Sequence, residues 1–152
     1  MQKPRSHTLA IGLAILSVLV LIFGFSAWQK IRLDESSSES AINITQQLYS
    51  SGSATSLINS LHADLAQQMT PKQWQASVNS HLQRLDPMTA MTELRGEAAV
   101  PVVTYPGQRL AASYEIDMEF GATLTTLYIG MAWENNDWHI TEYRLDAPPL
   151  YD

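Results

Sequence analysis

Three carboxylates at alternate positions of one segment are the side chains best placed for acid–base chemistry. They are Glu115, Asp117 and Glu119, and alternate residues of a β-strand lie on the same face. Two carboxylates held close together can act as a general acid and a general base. The residues between them are apolar, so the alternation predicts a half-buried strand with a solvated acidic face. We therefore interpret these three residues, together with Asn136 in a later turn, as candidates for an interaction surface, and we predict no catalytic residue.

The histidines and their neighbouring carboxylates do not predict a metal site. His62 and Asp64 are two residues apart, which separates them by about 200° around a helix, and His81 lies on another segment. The chain has no cysteine, which excludes thiolate metal ligands, disulfides and a cysteine nucleophile. It also lacks a serine nucleophile elbow and a glycine-rich phosphate loop. The sequence therefore predicts a protein without metal or cofactor that is not an enzyme.

Aromatic residues support an alternative hypothesis, a pocket for a small ligand, with or without catalysis. Tyr114, Trp133 and Tyr143 occur at alternating strand positions and are the candidates for its lining. Aromatic residues at such positions also fill the core of an ordinary domain of about 110 residues. The sequence leaves both interpretations open and favours the core.

The N-terminal part of the chain predicts one membrane-spanning helix. Residues 8–28 carry no charged side chain, and at 1.5 Å per residue they span about 30 Å, the thickness of the hydrocarbon core of a bilayer. Trp28 and the basic residues on both sides are typical of the membrane interface. We expect residues 1–7 to be a cytoplasmic tail and the helix to lie in the inner membrane of a cell, with the following domain in the periplasm. The alternative, a signal peptide cleaved before Ala27, requires an apolar core of about 7–15 residues, which this segment exceeds.

Charge is distributed unevenly along the chain. The net charge is −6, and every Asp and Glu lies after position 33. An acidic domain disfavours nucleic acid as a partner, and anionic lipid headgroups should repel it, so we expect it to stand off the membrane. The serine- and glutamate-rich residues 29–40 predict a flexible juxtamembrane linker, and residues 147–152 predict a C-terminal tail.

The hydrophobic period changes in the middle of the domain, which we place at residues 41–146. Before Pro87 the apolar residues have helical spacing, and Thr70, Pro71 and Gln73 predict a capping box at the start of the third helix. After Pro87 the period becomes two, which predicts antiparallel strands. The expected helices cover residues 40–51, 54–69 and 71–85, and the expected strands lie near residues 91–99, 110–120, 123–133 and 138–145. Helices followed by strands predict an α+β domain.

Several of these segments together resemble a known domain type. They are the helix containing Leu57 and Leu65, the Thr-Pro-Lys-Gln-Trp start at residue 70, the strand ending at Phe120, and the closing Glu134 to Tyr143 hairpin with its Asp-Trp pair. This pattern resembles bacterial cystatin-like or NTF2-like domains. The resemblance implies about three helices packed on a curved antiparallel sheet of three to four strands. The membrane segment, an open-edged sheet and the absence of a reactive constellation together predict a non-catalytic interaction module that binds an envelope protein or a second copy of itself.

Overall fold

The structure, a computed structural model, describes residues 5–99 and 109–146, with side chains from residue 11 onward. Most of the expected N-terminal tail, the loop at residues 100–108 and the expected C-terminal tail at residues 147–152 lie outside the described residues. The described helices are α1 (Arg5–Ser51), α2 (Thr55–Asn59), α3 (Ala63–Ala66) and α4 (Pro71–Leu82). The described strands are β1 (Met88–Ala99), β2 (Leu110–Phe120), β3 (Thr123–Glu134) and β4 (Asp137–Asp146).

The strands form one antiparallel sheet in the order β1-β2-β3-β4, as a meander. The predicted α+β class is confirmed at this level. The inner face of the sheet carries the alternating apolar residues that the sequence predicts, and most of these are buried beneath the helices, while Leu110 and Trp133 are partly buried. The most buried of them are Ile116, Met118, Phe120, Leu127, Ile129, Met131 and Ile140.

The structure differs from the predicted linker at residues 29–40, because these residues are helical and α1 continues without a break to Ser51. The predicted helix start at Ser40 is therefore wrong. Inside this helix the serine hydroxyls donate to carbonyls of the preceding turn: Ser37 Oγ lies 2.6 Å from the Leu33 oxygen. Ser37 is also completely buried, and its hydroxyl lies 2.7 Å from that of Tyr114 on β2. Contact with the sheet therefore decides the conformation of a segment that looks like a linker by composition.

Helix α1 and strand β2 run side by side in the same direction. Ser37 contacts Tyr114 near the start of β2, and the Tyr49 ring packs against the Phe120 ring at its end, with 5.2 Å between centroids. The twelve residues from 37 to 49 span about 18 Å of helix. The six residues from 114 to 120 span about 20 Å of strand. These matching lengths mean that the strands lie nearly along the helix axis.

The predicted helix at residues 54–69 is two short helices, α2 and α3, separated at residues 60–62. The backbone N–H of His62 donates to the carbonyl of Ile140 at 2.8 Å, and the N–H of Ile140 donates to the carbonyl of Ser60 at 2.6 Å. The chain therefore leaves the helical conformation to pair with the free edge of β4. Backbone hydrogen bonds to the sheet outweigh the helical periodicity here.

Local signals elsewhere are confirmed. Thr70 and Gln73 form the predicted capping box with Pro71 in the first turn of α4. Asn135 and Asn136 have φ angles of 52° and 67° and connect β3 to β4 as the two central residues of a tight hairpin. Asparagine tolerates this left-handed conformation better than most residues, which explains the strength of the turn signal.

We predict that Trp74→Ala lowers the free energy of unfolding by about 3–5 kcal/mol, because the indole of Trp74 is buried in the core and packs edge-on against the Tyr143 ring. Urea unfolding of the micelle-bound protein, followed by far-ultraviolet circular dichroism, measures this change. Lys72→Ala, on the exposed side of the same helix, should change the value by less than about 0.5 kcal/mol. A loss below about 1 kcal/mol for Trp74→Ala would contradict the position of the core.

We predict that Ser37→Leu destabilises the domain by about 1–3 kcal/mol, because no space remains between α1 and β2 at this completely buried position. Ser50→Leu, at an exposed position of the same helix, is the matched control and should have little effect. Thermal unfolding of the full chain compares the two variants. Equal melting temperatures would show that residue 37 lies outside the helix–sheet contact.

Candidate interaction surface

The outer face of the sheet, opposite α1, carries most of the acidic residues of the domain. Strand register places nine carboxylates of the described residues on this face, which we call the acidic outer face. They are Glu93, Glu97, Glu115, Asp117, Glu119, Glu134, Asp137, Glu142 and Asp146. Only two arginines, Arg95 and Arg144, accompany them among the described strand residues on that face. The outward positions of β2 are exposed or half-buried, so this face is open to solvent.

Arg95 is the cation that contacts three carboxylates of the acidic outer face. Its guanidinium lies 2.9 Å from Asp117, 3.0 Å from Glu93 and 3.5 Å from Glu115. The charge of Asp117 is the main cause of a raised pKa at Arg95. Because the arginine side chain is half-exposed, these pairs orient the carboxylates more than they stabilise the fold. Sequence reasoning missed this residue, since its position opposite Glu115 depends on the register between β1 and β2.

The three carboxylates predicted from the sequence have different surroundings. Asp117 is half-buried and also accepts a hydrogen bond from the Thr126 hydroxyl at 2.7 Å. Both of its carboxylate oxygens therefore have a partner. Glu115 shares Arg95. Glu119 has no ion-pair partner among the described residues, and the same holds for Glu142 on β4. These two unpaired carboxylates are therefore available to a partner at separate places on the face, Glu119 near the β2–β3 turn and Glu142 opposite Gly130.

A groove of about 350 Å³ crosses the acidic outer face at Gly130. Its walls include Tyr128, Glu115 and Glu142, and the missing side chain of Gly130 leaves its floor open. A Cβ at this position would lie 3.0 Å from the Cβ of Glu142. The Arg144 guanidinium lies over the Tyr128 ring at 4.2 Å from its centroid, which shows that this aromatic ring can accept a cation. The groove combines negative charge with an aromatic wall.

Asn136, the fourth predicted surface residue, is not on this face. It lies in the β3–β4 turn, at the end of the sheet where β1 ends and β2 begins. The indole N–H of Trp138, two residues later, donates to Ser36 of α1 at 3.0 Å. The structure therefore brings Glu115, Asp117 and Glu119 together and separates Asn136 from them.

The three aromatic candidates for a ligand pocket lie on the inner face, each with its own neighbours. The Tyr114 hydroxyl bonds to Ser37, and the Tyr143 hydroxyl lies 3.0 Å from that of Tyr49. The Trp133 ring packs against the Trp138 ring with centroids 5.3 Å apart. These contacts are those of core residues.

A buried histidine connects the helices to the end of β3. His62 Nε2 lies 3.0 Å from a carboxylate oxygen of Glu134, whose other oxygen lies 3.1 Å from Arg109. His62 Nδ1 accepts the backbone N–H of Asp64 at 3.2 Å and so caps α3. Both ring nitrogens are therefore occupied, and the described residues contain no cluster of three possible metal ligands.

Both edges of the sheet are blocked near Asn136. At the β1 edge, the Asp34 carboxylate accepts the backbone N–H of Ala98 at 2.7 Å, and Lys30 Nζ lies 3.5 Å from the Ala98 carbonyl. At the β4 edge, residues 60–62 pair with Ile140. Side chains and a loop thus take the place of a neighbouring strand, which protects this part of the sheet from strand addition. The outer face is left as the larger accessible surface.

Comparison of the chain with protein-family models, curated proteins and solved structures gives no match. The site must therefore be interpreted from its own geometry and charge.

We predict that Tyr49, Tyr114 and Tyr143 ionise at a higher pH in the folded protein than in the unfolded chain, because burial raises the pKa of each phenol. Their pKa values are higher in the folded state than in the unfolded state, so they contribute constant stability below about pH 10. That contribution decreases as the pH rises further, because the unfolded state then ionises first. Absorbance at 295 nm, recorded together with circular dichroism, measures the titration. Ionisation of these three residues near pH 10 without unfolding would indicate an open, water-filled pocket.

Proposed function

We propose that this protein is a non-catalytic protein-interaction module of the cell envelope, anchored by α1 in the inner membrane and presenting a cystatin-like or NTF2-like domain to the periplasm. The observation that supports this function best is the acidic outer face, a solvent-open sheet surface with the unpaired carboxylate of Glu142 beside an aromatic groove and that of Glu119 farther along β2. The occupied side chains of His62 and Asp117 do not suggest acid–base chemistry.

The membrane anchor rests on the exposure of the apolar part of α1. This helix is long and apolar enough to cross a membrane, and its most apolar window is not buried against the domain. Large apolar side chains along it are open to the surroundings; Leu21, for example, is 71% exposed. A helix with apolar side chains exposed on all sides is stable in lipid and unfavourable in water.

The charge of the outer face selects the kind of partner. Its nine carboxylates and two arginines leave a negative surface that attracts a basic protein surface and repels nucleic acid and a second acidic face. Self-association through this face is therefore disfavoured. A different envelope protein with a basic patch is the partner that we propose.

Site-specific photo-crosslinking in native membranes tests the proposal. We expect a photoreactive residue at Glu119 to give one discrete protein adduct, while the same residue at exposed Gln46 of α1 gives none. Charge reversal by Glu142→Lys in the same chain should lower the adduct yield several-fold, because a charged rim governs association. Glu39→Lys, which changes the net charge equally at an exposed helix position, is the matched control. Equal adducts from both positions, or equal effects of both reversals, would overturn the proposal.

A further inference from the structure

We infer that α1 holds the β3–β4 turn, residues 135–137, at the lipid headgroup surface, so that this turn is a membrane-contact site. The inference rests on the proposed membrane anchoring by α1. It concerns a different part of the domain from the acidic outer face.

The first argument is the continuity of α1. No flexible segment separates the apolar residues from the part of the helix that packs on the sheet. The contacts with the sheet begin at once: Lys30 pairs with Glu97 at 2.6 Å, and Asp34 binds the backbone of Ala98. The position of the domain along the membrane normal is therefore set by the helix itself.

The second argument is distance along the helix. Ser36 lies eight residues after Trp28, which is about 12 Å farther from the hydrocarbon core. Trp138 bonds to Ser36, and Asn136 precedes it by two residues, which is about 6–7 Å back along the strand toward the membrane. Because the strands lie nearly along the helix, Asn136 is about 6 Å beyond the level of Trp28. The headgroup layer on each side of a bilayer is about 5–7 Å thick.

The third argument is the charge at this end of the domain. Glu97 and Asp34 pair with Lys30, and Glu134 pairs with Arg109. The tip of the turn consists of two asparagines, whose amides can donate to and accept from headgroup oxygens. Two carboxylates at this end, Asp137 in the turn and Glu35 on α1, have no ion-pair partner among the described residues; Asp137 Oδ1 accepts the backbone N–H of Trp138 at 2.8 Å. Anionic lipids should therefore still be repelled here, and the headgroups that this turn is expected to contact are zwitterionic.

Depth-dependent fluorescence quenching of the full chain in phosphatidylcholine vesicles tests the inference. The chain contains no cysteine, so single labelling positions can be introduced without other changes. Asp137→Cys places a fluorophore beside the turn and avoids the positive φ angles of Asn135 and Asn136. Ala122→Cys, in the turn at the opposite end of the sheet, is the matched control. We expect lipid with a nitroxide on its headgroup to quench the label at position 137 at least threefold more than the label at position 122.

Two further variants separate this inference from the proposed anchoring. A label at Val20→Cys should be quenched by nitroxides on the lipid acyl chains; its failure would overturn the anchoring itself. Eight glycine and serine residues inserted between Gln29 and Lys30 should lower the quenching at position 137 to that at position 122. Quenching at position 20 with equal quenching at positions 137 and 122 would overturn the membrane contact alone. Unchanged quenching in the insertion variant would overturn the role of α1 in holding the turn.

Discussion

The close contact between α1 and the inner face of the sheet is the constraint on which the rest of the structure depends. Ser37, Ala41 and Thr45 are completely buried and lie four residues apart on one side of the helix. Their small side chains let the helix backbone approach the sheet, and the Ser37 hydroxyl satisfies the buried Tyr114 hydroxyl. The larger Leu48 and Tyr49 complete the core farther along. The same helix that is apolar enough to cross a membrane therefore also forms part of the domain core.

The parts of this fold that the sequence predicts are those determined by neighbouring residues. The alternation in β2 and β3, the capping box at Thr70 and the turn at Asn135 each depend on a few consecutive positions. Residues 34–40 have a polar composition, and nothing local distinguishes a linker from a helix whose serines pack closely against a sheet. The pairing of Arg95 with the carboxylates of β2 could not be predicted either, because β1 contains two register irregularities between Met88 and Glu93 that no local pattern reveals. The contacts that define the site are long-range. They depend on how the strands pair, which a single sequence does not specify.

The blocked edges favour a face of the sheet over its edges as the proposed interaction surface. A four-stranded open sheet exposes two edges, and unprotected edges favour strand addition by other chains. Here the Lys30–Asp34 pair covers the backbone of Ala98, and the chain between α2 and α3 covers Ile140. Both covered edge segments lie at the end of the sheet that carries Asn136. They are covered by α1 and by the chain between α2 and α3, both of which also connect parts of the fold. The proposed recognition therefore uses side-chain charge on the outer face and not backbone hydrogen bonds at an edge.

With α1 anchored in a membrane as proposed, its geometry determines at which height the proposed partner must present its basic surface. Tyr114 lies beside Ser37, about 13 Å beyond Trp28 along the helix, and Phe120 lies beside Tyr49, about 31 Å beyond it. Glu115, Asp117 and Glu119 alternate with the residues between these two contacts, so their carboxylates occupy the same range of heights above the bilayer. No flexible linker lets the domain move relative to the apolar part of α1, so the helix fixes this range of heights. A membrane-anchored partner with its basic patch at that height needs only lateral diffusion to meet the acidic outer face, and a soluble partner would have to approach it from the side.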